Sequence, residues 1–288
     1  MQVLKNARGT LKNMGLEHHL QSDAIDFNGK VAIVTGASSG IGMAIARELS
    51  RKKAMVILAS RNETQLNALR DDLVREGGQA LVLPVDVREK KQCRVLVEKT
   101  VELAGGIDIL VNNAGISMHA NFGEVRLNVL KQVMDTNFWG TVYCSKYALP
   151  HLLESQGSII GISSICGITP LPGRSGYAAS KHAMDGFMES LRVENIPHGL
   201  HVMLVHPGFT RSNIRYLAMD KDGHAQAYSP LNEDLLMPAE RVAREVILGI
   251  WLRKKNLILS PEGKFITWIY QRMPNLAERL IYREMNAS

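Results

Sequence analysis

The sequence predicts an α/β fold in which one doubly wound parallel sheet forms a single domain, and three observations carry that prediction. Short β-branched apolar runs alternate with helix-length amphipathic stretches from Lys30 to Ser260, as expected of strands buried on both faces beneath crossover helices. Directly after the first run stands Thr35-Gly36-Ala37-Ser38-Ser39-Gly40-Ile41-Gly42, and far downstream Tyr177-Ala178-Ala179-Ser180-Lys181 opens a helix. The first suits an anion at a helix N-terminus and the second suits proton transfer. Both fall at carboxyl ends of strands, where open sheets of this class bind ligands.

Residues 31–35 read as a buried strand, and the helix over 41–51 repeats apolar residues at three and four. Residues 55–60 form the second strand, with a helix over 64–76 that stops at Gly77-Gly78. Further strands are expected at 81–85, 107–112, 158–163 and 201–206, separated by helices over 90–104, 126–149 and 177–195, with a last strand at 257–260. The main unit thus spans 29–260, preceded by an extension over 1–28 and followed by an amphipathic tail over 261–288. Residues 1–20 place Lys5, Arg8 and Lys12 ahead of the first acid, Glu17. They read either as an ordinary extension beside the domain or as a weak transit-like segment.

A chain of 288 residues with 45% hydrophobic content can bury the core of one such unit. Its formal charge of +6 is spread over helices and loops without interleaved aromatics, which argues for a solvated basic surface and against a nucleic-acid partner. Cys93, Cys144 and Cys166 lie far apart with no metal-binding spacing. That argues against a disulfide framework or a zinc site, so no metal is expected, and it points to a reducing, cytoplasmic setting. No apolar stretch approaches the roughly 20 residues needed to cross a bilayer.

Gly36, Gly40 and Gly42 fall where the chain must turn sharply and let backbone amides, with Ser38, Ser39 and Ile41, approach a pyrophosphate. The second strand ends Leu58-Ala59-Ser60-Arg61, with no carboxylate for an adenosine ribose. Ser60 and Arg61 suit a 2′-phosphate, so NADP is the expected cofactor over NAD; the alternative is that Arg61 caps the next helix. After the third strand, Asp86 and Val87 stand at the adenine edge, Asp86 serving there, as an N-cap, or as both. Asn113, Ala114 and Gly115, in the run from Asn112, end the fourth strand with small residues that leave room for a ribose.

Tyr177 and Lys181 are four apart and share a helix face. The lysine ammonium is expected to favour the phenolate, lowering a value that otherwise sits near 10. Ser164 ends the fifth strand thirteen residues before Tyr177 and is placed to hold a carbonyl oxygen. Ser163 competes for that role, and spacing favours Ser164. A tyrosine and lysine at this spacing are often a plain surface pair; the glycine turn and Ser164 argue for the catalytic reading.

With these motifs together, the chain resembles the short-chain dehydrogenase/reductase family over roughly residues 29–260. Thr35 to Gly42, Asn112 to Gly115 and Tyr177 to Lys181 match the family's three motifs. The resemblance implies a Rossmann-like fold and NADP(H)-dependent hydride transfer between nicotinamide and a ketone, aldehyde or secondary alcohol. It makes Asn137 the fourth catalytic residue, holding a water that links Lys181 to solvent. It also assigns Lys181 to the nicotinamide ribose, sets Pro207 and Gly208 beside the nicotinamide ring, and leaves Thr210 or Ser212 for the carboxamide. Residues 161–194 look closest to the 11-beta-hydroxysteroid dehydrogenase and family-member-7 branch, which implies a lipid- or steroid-like substrate. The rival is a nucleotide-binding regulatory protein with little turnover, against which the intact set Asn137, Ser164, Tyr177 and Lys181 argues.

In the family, residues 211–237 correspond to a lid over the substrate, and a connection of that length is expected to be mobile or functional. The tail from Lys264 mixes Phe265, Trp268, Met273, Leu276 and Tyr282 with Arg272, Arg279 and Arg283. Ordinary packing, closure over the pocket, a partner subunit and peripheral contact with a membrane all fit it. The resemblance further implies a homodimer or homotetramer joined through the helices that carry Phe138, Trp139, Tyr143 and Phe187.

Overall fold

Strand β1 (Val31–Thr35) is buried at every residue, as its unbroken β-branched run requires of a central strand. The computed structural model describes residues 24–229 and 231–286. After β1 come α1 (Gly40–Arg51), β2 (Met55–Ala59), α2 (Glu63–Arg75), β3 (Gln79–Val82), α3 (Lys90–Ala104) and β4 (Ile109–Asn112). A long helix then runs as α4 (Leu127–Met134), a π turn (Asp135–Trp139) and α5 (Gly140–Glu154), and leads to β5 (Ser158–Ile162). The rest is α6 (Ser175–Glu194), β6 (His201–His206), α7 (Ala239–Trp251), β7 (Asn256–Ile258), α8 (Pro261–Arg272) and α9 (Pro274–Asn286).

All seven strands are parallel, in the order β3-β2-β1-β4-β5-β6-β7. The order reverses between β1 and β4, which opens a crevice at their carboxyl ends. Alternate residues of each strand enter opposite cores. Ala32 and Val34 pack with Ile45, Leu49, Val246 and Ile247 on one face, and Ile33 and Ile57 pack with Leu96, Leu152 and Met188 on the other. A third, smaller cluster of Met118, Val129, Val133, Cys166 and Tyr177 lies at the end of the sheet that carries the motifs.

The expected elements exist, and their edges moved for identifiable reasons. β3 pairs from Gln79 to Val82, earlier than 81–85, because Pro84 has no N–H for the ladder; Leu83 and Val85 still donate to Leu58 and Ser60. The helix expected to end at 149 continues through Pro150 to Glu154, and buried Leu152 packs its last turn onto the core. A π turn interrupts it at Asp135–Trp139. Ile25 and Phe27, assigned to the extension, are core residues: Phe27 meets Trp251 edge-on at 5.9 Å. The transit-like reading of 1–20 lies outside the described residues.

The connection after β6 is tied down at several points. Arg215 grips Glu233 with two hydrogen bonds of 2.8 Å and donates to the Thr210 carbonyl at 2.7 Å. Asp220 accepts three backbone N–H groups, each at 2.9 Å, and neighbouring Asp222 meets Arg126. In the tail, Ser260 caps α8, and Thr267, Ile269, Ala277 and Ile281 are buried, while Phe265, Trp268 and Tyr282 stay exposed. Among the described residues no helix is long and apolar enough to cross a membrane.

Candidate active site

The crevice is a cleft of about 1140 Å³. Every residue assigned from sequence lines it except Gly42 and Asn137, which stand directly behind its wall. At the turn after β1, Gly36 and Gly40 have φ of +65° and +53°, a region costly for any side chain. A Cβ on Gly42 would run into the Asn113 amide and the Gly36 carbonyl. The glycines therefore bring this turn against the β4 loop and leave Ser38, Ser39 and Ile41 on the cleft.

The β4 loop is fastened to that turn. Thr35 Oγ1 accepts the N–H groups of Asn113 and Ala114, each at 3.0 Å, and Asn113 Nδ2 donates to the Thr35 carbonyl at 2.9 Å. Asn112 points away from the cleft, to Ser145 at 3.0 Å. Gly115 leaves little spare room, since a Cβ there would lie 3.2 Å from Asn137 Oδ1 and 3.6 Å from Lys181 Nζ.

At the adenosine end, Asn62 caps α2 by accepting the Gln65 N–H at 3.1 Å, so Arg61 is not that cap. Arg61 is exposed and lines the cleft, and among the described residues no carboxylate pairs with it. Asp86 does not cap α3 either, because that helix starts at Lys90 behind Glu89. Its carboxylate accepts the Arg88 N–H at 3.0 Å and the Arg88 guanidinium at 2.6 Å. Arg88 holds this carboxyl below the usual range, against the burial penalty. Val87 packs against Gly140.

At the other end, Tyr177 and Lys181 stand on the first turns of α6, and both are buried. Lys181 Nζ lies 5.8 Å from the Tyr177 ring centre and donates to the Ile162 carbonyl at 2.8 Å. Ser164, at the end of β5, accepts the Cys166 N–H at 3.2 Å and faces the cleft beside Tyr177. Ser163 also touches the cleft, but its hydroxyl is buried and finds no partner among the described residues.

The expected direction of the phenol's shift is corrected. Burial pushes Tyr177 well above 10, and the Ser164 hydroxyl and the Arg174 charge only partly oppose it. The same burial brings Lys181 down to about 8. In the protein alone, desolvation of each group outweighs the neighbours that oppose it, Ser164 and Arg174 at the phenol and Asp185 at the lysine. Asn137 is held tightly. Its Oδ1 accepts the Ile116 N–H at 2.8 Å, and its Nδ2 donates to the Ile116 carbonyl at 3.0 Å and to Ser180 Oγ at 2.9 Å. Both amide hydrogens are spent, so the side chain clamps the loop after Gly115 and can meet a water only through an oxygen acceptor.

Pro207 and Gly208 lie on the cleft, where Gly208 lets Ser260 approach: a Cβ would meet its hydroxyl at 2.8 Å. Thr210 donates to the Gly208 carbonyl at 3.1 Å, and Ser212 donates to the Thr210 carbonyl at 3.4 Å. Sequence reasoning missed Arg174, whose Nη1 donates to Ser117 Oγ at 2.7 Å and to the Met118 carbonyl at 3.3 Å while it lines the cleft. Its signal was its place three residues before Tyr177, one turn earlier on the same face. Leu171, Phe209 and Leu217 add an apolar rim.

The family model described as short chain dehydrogenase matches residues 30–222. An 11-beta-hydroxysteroid dehydrogenase A of Arachis hypogaea is 40% identical over 268 residues, covering 88% of this chain and 76% of that protein. A dehydrogenase/reductase SDR family protein 7-like of Anopheles gambiae is 32% identical, covering 84% and 78% respectively. Among solved structures, a dehydrogenase/reductase from Sinorhizobium meliloti aligns with a TM-score of 0.74 at 29% identity, over 85% of this chain and 99% of that one. An alcohol dehydrogenase from Thermococcus sibiricus, complexed with 5-hydroxy-NADP, aligns with a TM-score of 0.72 at 25% identity, over 80% and 95%.

Proposed function

Since the chain belongs to the short-chain dehydrogenase/reductase family and is an NAD(P)-binding oxidoreductase, we propose that it prefers NADP(H) and interconverts a carbonyl and a secondary alcohol on a lipid- or steroid-like molecule. The observation that carries the reading is the convergence of Ser164, Tyr177 and Lys181 on one cleft with the glycine turn and Arg61. The cleft fits the dinucleotide: Gly42 has no room for a Cβ, and among the described residues Arg61 makes no direct ion pair, its guanidinium acting only at longer range on Asp86. Ser38, Ser39 and the first turn of α1 would hold the pyrophosphate, and Ser60 and Arg61 the 2′-phosphate. The nicotinamide would rest by Pro207 and Gly208, with Thr210 or Ser212 at its carboxamide. Bound there, the reduced cofactor supplies the hydride.

The protein's own groups manage the proton. Ser164 Oγ donates to the carbonyl oxygen and holds it at Tyr177 Oη, and the phenol gives that oxygen its proton as charge develops. Alcohol oxidation reverses these roles. Burial of Tyr177 excludes water and makes the neutral phenol the resting acid, while Lys181 orients the ribose and steadies the phenolate after transfer. Asn137 fixes the loop after Gly115, next to Lys181. The apolar rim of Leu171, Phe209 and Leu217 favours a lipid-like substrate, and the hydroxysteroid dehydrogenase name of one relative points the same way.

The α5 and α6 surface supports a homo-oligomer. Trp139 is 43% exposed and stacks on Tyr143 at 5.7 Å, and Phe138 meets Phe187 at 6.3 Å. Exposed aromatics of this kind are covered in assemblies. Light scattering reads the assembly directly.

The test of the reaction is NADPH consumption against steroid ketones, aromatic aldehydes and small β-keto esters. Tyr177→Phe is expected to lose at least about 100-fold in kcat, the usual scale of a proton-transfer group, while NADPH still quenches protein fluorescence. Full turnover by this variant would overturn the assignment.

A further inference from the structure

Lys181 is a cation in a place hostile to cations. It is 3% exposed, and among the described residues its hydrogen bond runs to the neutral Ile162 carbonyl. A buried ammonium is retained where a negative charge offsets its desolvation. One helical turn beyond it on the same face of α6 stands Asp185, also buried. Asp185 in turn meets His206 at the end of β6, with Nε2 to Oδ2 at 2.8 Å. An ionised carboxylate only accepts, so His206 Nε2–H is the donor.

This pair sits directly behind the cleft wall. His206 precedes Pro207, and Gly167, the last residue of the short helical turn that Ser164 caps, makes room for the carboxylate: a Cβ on Gly167 would lie 2.6 Å from both Asp185 Oδ2 and Ser163 Oγ. Asp185 Oδ1, His206 Nδ1 and Ser163 Oγ are three of four buried side-chain atoms without a partner among the described residues. Core polar groups that fill space for stability alone are normally satisfied. Three elements therefore converge on a polar cluster next to the lysine, and packing does not account for it.

We propose that Asp185 is the buried counter-charge that keeps Lys181 an ammonium, and that His206 is the positioning residue that aims this carboxylate. The other titratable groups that face Lys181 do not supply that charge. Tyr177 on the same helix and Cys166 on the turn after β5 are both held in their neutral forms by burial, and Arg174 acts on these two as a cation. Among the described residues the field of Asp185 is the largest influence opposing the burial penalty on Lys181. The idea rests on the oxidoreductase reading only in giving Lys181 a purpose.

The test needs neither substrate nor cofactor. Lysine labelled with carbon-13 at Cε is titrated by NMR in the full chain, with Lys181→Arg assigning the resonance. Asp185→Asn keeps the shape and removes the charge, and it is expected to lower the Lys181 midpoint by about one pH unit or more. His206→Leu, which removes the donor and keeps the charge, is expected to give a smaller fall, and His206→Gln, which restores an N–H, none. An unchanged midpoint in folded Asp185→Asn overturns the proposal. If that variant does not fold, an unchanged midpoint in His206→Leu overturns it. Turnover lost in Tyr177→Phe tests the reaction separately, so the two readings can fail independently.

Discussion

The Thr35 hydroxyl accepts the Asn113 N–H at 3.0 Å, across 78 residues of sequence, and so joins the glycine turn after β1 to the loop after β4. The same oxygen accepts from Ala114 at 3.0 Å and donates to the Val111 carbonyl at 3.1 Å. One buried side chain thus sets the width of the crevice where the strand order reverses.

Replacing it should therefore affect both stability and binding. Thr35→Val keeps the branched shape and leaves two half-buried N–H groups without an acceptor, which costs about 1–3 kcal/mol in total at the usual scale for hydrogen bonds. Thr35→Ser should recover most of it. Urea unfolding of the two variants, read beside NADPH affinity, checks this; a Thr35→Val midpoint equal to that of the parent would mean the crevice does not depend on the hydroxyl.

Cofactor choice should reside at the end of β2. Arg61 is exposed and has no direct carboxylate ion pair among the described residues, and Ser60, whose Oγ accepts the Asn62 N–H at 3.2 Å, carries no charge that would repel a phosphate. Arg61→Ala is expected to raise the KM for NADPH about 10- to 100-fold, the worth of one charge-assisted contact, with little change for NADH. Ser60→Asp combined with it should make NADH the better cofactor. Unaltered preference in the double variant would place the discrimination elsewhere in the cleft.

Lys181 gives stability a defined pH dependence. Its folded value of about 8 lies below the 10.5 of a free lysine. Between these values the unfolded chain binds more protons than the folded one, so this residue makes stability rise with pH across that window. Below about 8 both states are protonated and the cost of burying the charge is fully in force, on the order of 3 kcal/mol. Melting of the cofactor-free protein alongside Lys181→Met should show the variant's advantage largest near pH 7 and shrinking toward pH 10. A gap that stays constant with pH would contradict the burial-driven shift.

What the sequence determined by itself was the fold class, the strand and helix order and about half of the lining of the cleft, the half that its motifs carry. Strand periodicity, glycine spacing and the four-residue step from Tyr177 to Lys181 are local features, and local features are written in the order of residues. The alternation of strands with helices then leaves little choice but a parallel sheet with its ligands at one end. Tertiary structure alone decided the roles that depend on who lies opposite whom. Asp86 gave its carboxylate to Arg88, Asn137 spent its amide on Ile116 and Ser180, and Asp185 met His206 across the join between α6 and β6. It also reversed the expected shift of Tyr177, because a charge's effect on its neighbour can be guessed from spacing, whereas the loss of water around both groups depends on every element packed over them.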